Sequence, residues 1–224
     1  MKKTNYLNRA KRFAYAISAS ASLSSSAVAG WFDVQPAYDT TNDFGTIRLE
    51  GAGDFGKNWS HYAFIDFNGA PGDEWDLDSS LFMENTLRYS LKDSGDAWRN
   101  VSVALEVDSG TDFSDVYRFG LTWGGSLWEG SFIGLKGLAL ASRDDNALAS
   151  IFISQDFTDS FSMYMVFDYG FGDWIFGENQ TYLEIEAKYE LNEHYSIFVQ
   201  GRDFRAKSDW GIDLDMILGM KYRF

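Results

Sequence analysis

The sequence predicts an all-β chain, a transmembrane antiparallel up-and-down β-barrel of about 12 strands. Three observations lead there. The last fifteen residues, WGIDLDMILGMKYRF, alternate with period two. Alternating segments of roughly ten residues recur along the chain between turn-forming residues. No stretch holds the roughly 18 consecutive apolar residues that would announce a transmembrane helix.

The chain opens on a targeting segment. Met1–Arg12 carries Lys2, Lys3, Arg9, Lys11 and Arg12, a mildly apolar stretch follows to Leu23, and Ala27-Val28-Ala29 forms an A-x-A cleavage site. Residues 1–29 therefore read as a signal peptide, with the barrel over residues 30–224. Removing those five positive charges takes the formal net charge from −14 to −19. Such a field disfavours nucleic acid and polyanionic substrates. There are 0 cysteines, so no disulfide framework is expected. The aromatic content of 17% suits a barrel with aromatic girdles at both membrane interfaces. No internal repeat or linker-like tract divides residues 30–224, so one domain is expected.

The first strand spans about Trp31–Tyr38, with Pro36 marking a bulge or an exposed position. In the second, about Phe44–Ala52, Ile47, Leu49 and Gly51 oppose Thr46, Arg48, Glu50 and Ala52. The third, about Trp59–Asn68, turns Trp59, His61, Ala63, Ile65 and Phe67 outward and Ser60, Tyr62, Phe64, Asp66 and Asn68 inward. The fourth, Leu81–Leu91, sets Phe82, Glu84, Thr86, Arg88 and Ser90 inside. The fifth, about Val101–Asp108, opposes four aliphatic residues to Ser102, Ala104, Glu106 and Asp108. The sixth, about Val116–Trp123, places Arg118 and Thr122 inside. Both faces of the seventh, about Ser131–Ala141, are apolar, and Lys136 argues for the even set facing in.

The eighth, Ala149–Gln155, turns Phe152 and Ser154 in, and the ninth, Phe161–Tyr169, turns Tyr164 and Asp168 in. The tenth, Tyr182–Leu191, alternates aliphatic residues with Glu184, Glu186, Lys188 and Glu190. The eleventh, Tyr195–Phe204, opposes Ile197 and Val199 to Phe198, Gln200, Arg202 and Phe204. The last strand sends Ile212, Leu214, Met216, Leu218, Met220, Tyr222 and Phe224 to one face; Ile217 alone breaks the small or charged pattern of the other. It is longer than the roughly 5–6 residues of a soluble strand and suits a tilted span of about 9–11. A strand closing on an aromatic residue resembles the last strand of bacterial outer-membrane barrels. That resemblance implies recognition of Phe224 by the barrel-assembly machinery.

Alternate connections are short: Asp54–Asn58, Lys92–Ala97, Gly124–Leu127, Asp156–Ser160 and Asn192–His194. The others include the two longest, Gly69–Ser80 and Gly170–Gln180. Outer-membrane barrels keep short turns in the periplasm and long loops outside, so both termini are expected in the periplasm. The surrounding partners would be outer-membrane lipid and lipopolysaccharide.

The inward set carries both signs of charge. Arg48, Glu50, Asp66, Glu84, Arg88, Glu106 and Arg118 come from the first half; Lys136, Glu184, Glu186, Lys188, Arg202, Asp213, Asp215, Lys221 and Arg223 follow. Charges in a closed lumen must be paired or hydrated, so a cross-lumen network of ion pairs that stiffens the barrel is one expectation. The inward aromatics are Tyr62, Phe64, Phe82, Phe132, Phe152, Tyr164, Phe198 and Phe204. They either plug a narrow barrel or offer faces on which a flat polar solute stacks, with carboxylates and arginines bonding its edge. The candidate solute contacts are Arg48, Glu50, Tyr62, Phe64, Asp66, Phe82, Glu84, Arg88, Glu106, Arg118, Phe198 and Arg202. No cofactor or resident metal is expected.

The stretch SSLFMENTLRYSL, Ser79 to Leu91, resembles a strand of the Tsx-like nucleoside-specific channel-forming porins. YAFIDFNG, Tyr62 to Gly69, is similar to that family's aromatic-rich third strand, which leads into a long acidic loop. The resemblance implies a monomeric twelve-stranded barrel passing nucleosides, with Phe64, Asp66, Phe82, Glu84 and Arg88 at lumen positions. This chain is shorter than that family, with reduced loops.

Three other functions compete. An outer-membrane hydrolase would need a histidine with a partner, and His61 and His194 are the 2 available. His61 is expected on the lipid side and His194 in a turn, so no enzyme is expected. A small porin for acidic oligosaccharides would line its lumen with arginine, which Arg48, Arg88, Arg118 and Arg202 could supply locally. A closed structural or receptor barrel is the third; its acidic stretch Asp73–Asp78 reads as a solvated loop or a surface cation contact.

Overall fold

The computed structural model describes residues 30–69, 80–95, 99–111, 115–140, 147–171, 173–174, 177–178, 180–206 and 214–224. Its strands are, in chain order, β1 (Gly30–Asp39), β2 (Phe44–Phe55), β3 (Trp59–Asn68), β4 (Ser80–Ser90), β5 (Val101–Gly110), β6 (Val116–Gly125), β7 (Ser131–Leu140), β8 (Ala147–Asp156), β9 (Phe161–Phe171), β10 (Asp173–Trp174), β11 (Gly177–Glu178), β12 (Gln180–Glu190), β13 (Tyr195–Ala206) and β14 (Asp215–Arg223). All but the short β10 and β11 close into one antiparallel barrel of twelve strands. Each barrel strand pairs with its neighbours in sequence, and β14 closes onto β1 through Asp33↔Arg223 and Tyr38↔Leu218. Closure leaves no sheet edge unpaired, which a lipid environment requires.

Period-two alternation becomes an inside and an outside on every barrel strand. On β5 and β6, outward Leu105, Phe119 and Leu121 are 41%, 57% and 49% exposed, while inward Glu106 and Arg118 are 0% exposed. The seventh strand settles as Lys136 argues: its even residues face in, and Lys136 Nζ bonds Glu106 at 2.5 Å. Ile217 faces in with Ala37 and Phe198, forming a small apolar cluster inside the barrel. That packing accounts for the one apolar residue on the polar face of β14. The inner face of β1, Asp33, Gln35, Ala37 and Asp39, is buried throughout.

Several boundaries differ from the sequence expectation. The first strand runs through Pro36 without a bulge: the β1–β2 register is continuous, and Gln35 and Pro36 drop out only of the ladder with β14. Proline has no N–H to give that ladder. The last strand begins at Asp215, and its expected start at Gly211–Asp213 lies outside the described residues. The connection after β9 holds a two-stranded hairpin, β10 with β11. A short 3-10 turn, Lys92–Ser94, follows β4. The signal peptide, most of the Gly69–Ser80 loop with its acidic stretch, and the Phe204 side chain also lie outside what is described.

Gly30 and Phe224 both sit at the end of the barrel that carries the short turns. Aromatic rings crowd this rim: Trp59 and Tyr89 lie 4.9 Å apart, Tyr195 and Tyr222 4.9 Å, and Tyr222 and Phe224 4.6 Å. Phe224 is 70% exposed and its N–H donates to the Phe32 carbonyl at 3.0 Å. Amphipathic rings at such a level match an interfacial girdle. No helix among the described residues is long and apolar enough to cross a membrane.

Candidate functional site

The lumen is the candidate site, and its walls differ. On the first, β2 to β4, Arg48 and Asp66 stand opposite each other in the register and form a bidentate pair at 2.6 and 2.8 Å. The Arg48 guanidinium also lies 4.3 Å over the Phe64 ring. Tyr62, Phe64 and Phe82 make a continuous ring series, with centroids 6.1 and 5.5 Å apart. Glu50 accepts from the Tyr62 hydroxyl at 2.8 Å and from Gln35 Nε2 at 2.5 Å. Two bonds to one carboxylate hold the ring series in place from β1 and β3.

The second wall runs from β4 to β7. Register sets Glu84 opposite Asp108, and Glu106 opposite both Thr86 and Arg118. Arg118 Nη1 donates to Glu106 at 3.1 Å and to Asp108. Lys136 reaches Glu106 from β7, across the inner face of Gly120 on β6. A Cβ at Gly120 would come within 2.0 Å of the Gly137 carbonyl, so no larger residue fits this close approach of the β6 and β7 backbones. Ala104, Leu138 and Leu148, at 0%, 2% and 3% exposed, pack together beside this cluster with Tyr182 against them. Part of the barrel's cross-section is therefore filled by side chains.

The third wall comprises β9 and β12 to β14. Tyr164 and Tyr182 hydroxyls both donate to Glu184, Arg202 Nε lies 3.1 Å from Glu184, and Lys221 bonds Glu186 at 2.6 Å. Gln200 Nε2 donates to the Tyr164 hydroxyl at 3.0 Å. Phe198 is 7% exposed and wedged over Gly219, where a Cβ would sit 2.4 Å from its ring.

The expected solute contacts thus fall into three groups. Arg48, Glu50, Tyr62, Phe64, Asp66 and Phe82 come together on the first wall. Glu84, Glu106 and Arg118 share the second. Arg202 and Phe198 sit on the third, with Phe198 packed rather than offered as a free face. Arg88 is apart from all three: its Nε is buried without a hydrogen-bond partner, and it enters no ion pair among the described residues. Ion pairs are present, but those among the described residues join neighbouring or next-neighbouring strands along the wall, unlike the cross-lumen network expected from the sequence. The wall bonding also recruits Asp108, Gln35, Tyr182 and Gln200, which the sequence does not single out as contacts. Counting by twos from Glu106 and Glu184 places Asp108 and Tyr182 on the inner face, and that was the available signal.

Neither histidine completes a catalytic set among the described residues. His61 Nδ1 is buried without a partner, and His194 Nδ1 lies 3.0 Å from the Arg223 carbonyl in a turn at the rim.

No family model matches the chain, and no curated relative matches it. Solved structures do. A KdgM porin superposes with a TM-score of 0.58 at 13% identity, covering 87% of this chain and 99% of that one. A KdgM porin in complex with disordered oligogalacturonate gives the same values. A NanC porin matches with a TM-score of 0.57 at 9% identity, over 86% of this chain and 97% of that one. At such identities the likeness carries the fold: this chain is a closed twelve-stranded antiparallel β-barrel with the architecture of porins.

Proposed function

We propose that the chain is an outer-membrane channel, with its termini in the periplasm, whose lumen takes small hydroxyl-rich solutes of the oligosaccharide class. One observation carries this: the ring series Tyr62–Phe64–Phe82 lies on the same inner wall as Arg48, Asp66 and Glu50. A sugar presents flat C–H faces and hydroxyl edges. Aromatic rings suit the faces, and charged hydrogen-bonding groups suit the edges. The fold likeness to a porin solved with disordered oligogalacturonate supports the class.

Charge favours a neutral solute over an acidic one. Arg48, Arg118, Arg202, Lys136 and Lys221 are each engaged by a carboxylate within 3.1 Å. A polyanion would have to displace those carboxylates and enter a barrel of strongly negative net charge. Nucleosides are the second reading, favoured by the paired Phe64 and Phe82 rings and by the resemblance of Ser79–Leu91. Those rings touch each other at 5.5 Å, so a base would stack on one outer face instead of between them.

Planar-bilayer recordings test both. A neutral trisaccharide, a trigalacturonate and uridine are added in turn to single channels. The expected order of current block is trisaccharide, then uridine, then trigalacturonate. Strong block by trigalacturonate alone would replace the neutral solute with an acidic one. Conductance without block by any of the three would remove the solute assignment, and absence of conductance would turn the barrel into a closed structural one.

A further inference from the structure

Glu84 on β4 stands directly opposite Asp108 on β5, and Glu106 shares that inner face two residues away. One carboxylate oxygen from each of the three lies within 4.8 Å of the others. Like charges directly opposed on neighbouring strands destabilise a sheet, so this placement calls for a positive charge between them. Two side chains supply part of it. Arg118 engages Glu106 and Asp108, and Lys136 engages Glu106. Neither forms an ion pair with Glu84, which accepts only a bond from Thr86 Oγ1 at 3.2 Å among the described residues. Asp168 on β9 lies within electrostatic reach of Glu84 and Lys136. Four carboxylates against two cations leave Glu84 and Asp168 without a cationic partner among the described residues.

A separate observation points to what would compensate them. Asp108 is 3% exposed, yet its Oδ1 has no hydrogen-bond partner. Asp168 Oδ1 on β9 is a second such acceptor. Buried acceptors left without donors are costly unless a ligand fills the role. Arg118 also keeps Nε and Nη2 without partners, but an anion approaching them would meet the same carboxylates. The charge balance therefore selects a cation.

Donor number narrows it further. Magnesium keeps several waters and takes one or two carboxylates, whereas calcium accepts a cluster of carboxylates in a flexible shell. Three carboxylates meeting within 4.8 Å suit the larger ion. We propose that Glu84, Glu106 and Asp108 hold one divalent cation of calcium size in the barrel lumen, approached from the half-buried Glu84 side. The bound ion would offset this wall's surplus of carboxylates and so weaken its preference for cationic over anionic traffic. The preference rests on the channel reading; the site itself needs only solvent access to the lumen.

The test uses the full barrel in detergent, stripped with EDTA and titrated with calcium chloride or magnesium chloride by calorimetry. The expected result is one saturable calcium event with weaker magnesium binding. Glu84→Gln keeps the side-chain shape and breaks no ion pair. It should weaken calcium by about tenfold or more, the scale on which even outer-shell partners of a metal act. Glu193→Gln removes the same charge from an exposed turn outside the lumen and should bind calcium as the unaltered barrel does. The melting temperature of the unaltered barrel should rise with calcium more than with magnesium at matched ionic strength, a measurement that needs no variant. No saturable calcium binding, or binding undiminished by E84Q, overturns the site. Reversal potentials in a potassium chloride gradient separate the two readings. Calcium binding without any current leaves the site standing and sinks the channel, whereas current without calcium binding does the reverse.

Discussion

Strand β4 gives Phe82 to one lumen wall and Glu84, two residues on, to another, and the two walls are built on different principles. On the β2–β4 wall one ion pair closes on itself, and the further carboxylate, Glu50, is held by the neutral donors Gln35 and Tyr62. Arg48 meets Asp66 through two bonds, and the rings of Tyr62, Phe64 and Phe82 lie alongside. On the β4–β7 wall carboxylates outnumber cations, the apolar cluster of Ala104, Leu138 and Leu148 lies next to the charges, and rings enter at the β7 edge, where Phe132 lies 6.0 Å from Phe152 on β8. On the proposed reading, a solute would meet a ring-faced surface on one side and a surplus of carboxylates on the other.

The largest expected effect comes from breaking the charged wall. Arg118→Met would strand Asp108, 3% exposed, and leave Glu106, 0% exposed, with Lys136 alone. Removing one partner of a buried ion pair costs about 3–5 kcal/mol. Urea unfolding of the barrel in lipid vesicles should show that loss. Adding Asp108→Asn in the same chain should recover part of it, because one stranded charge is then gone. Full stability of R118M would mean that water solvates this wall and that the contrast with the ring wall is false.

On the ring wall the effect falls on solute and not on charge balance. Phe82→Ala removes a stacking face, and block of current by the preferred solute should weaken by about 1–3 kcal/mol, roughly 5- to 150-fold. Conductance should stay equal or rise, since the lumen widens. Met83→Ala, the next residue along and on the outward face, should leave block unchanged. Equal effects of the two changes would place the solute path elsewhere.

These two walls were legible in the sequence to different depths. The alternation of β3 and β4 was enough to put Phe64, Asp66, Phe82 and Glu84 on one inner face. The opposition of Arg48 and Asp66 was not read there and comes from the register that the short β2–β3 turn sets. What lies beyond nearest neighbours was not legible. Glu106 meets Lys136 across β6, past the level of Gly120, and that level depends on the stagger around the whole barrel. Phe198 looked like a free ring, and it is buried because Gly219, twenty-one residues later, lies under it. Which carboxylate an arginine chooses is likewise a matter of register and closure, which local pattern does not encode.

The smallest effect is expected outside the lumen, where an ion pair of similar chemistry is wet. Lys57 Nζ and Asp93 Oδ2 lie 2.9 Å apart at the short-turn rim, with side chains 77% and 49% exposed. The hydrogen bond from Asn58 Nδ2, first, and then the lysine hold the Asp93 carboxyl below the usual carboxylate range. A carboxyl depressed in the folded state adds stability above its unfolded pKa and loses it as pH falls through the folded value. The contribution is therefore complete at neutral pH and fades only below about pH 4. Because both groups are open to solvent, screening should leave little of it to measure. Asp93→Asn should unfold in urea at the same midpoint as the unaltered barrel at pH 7. The two curves should also stay together at raised salt. A clear loss at pH 7 that disappears in high salt would show the rim pair to be as consequential as the buried ones. Burial would then not be what sets the dry lumen wall apart from the wet rim.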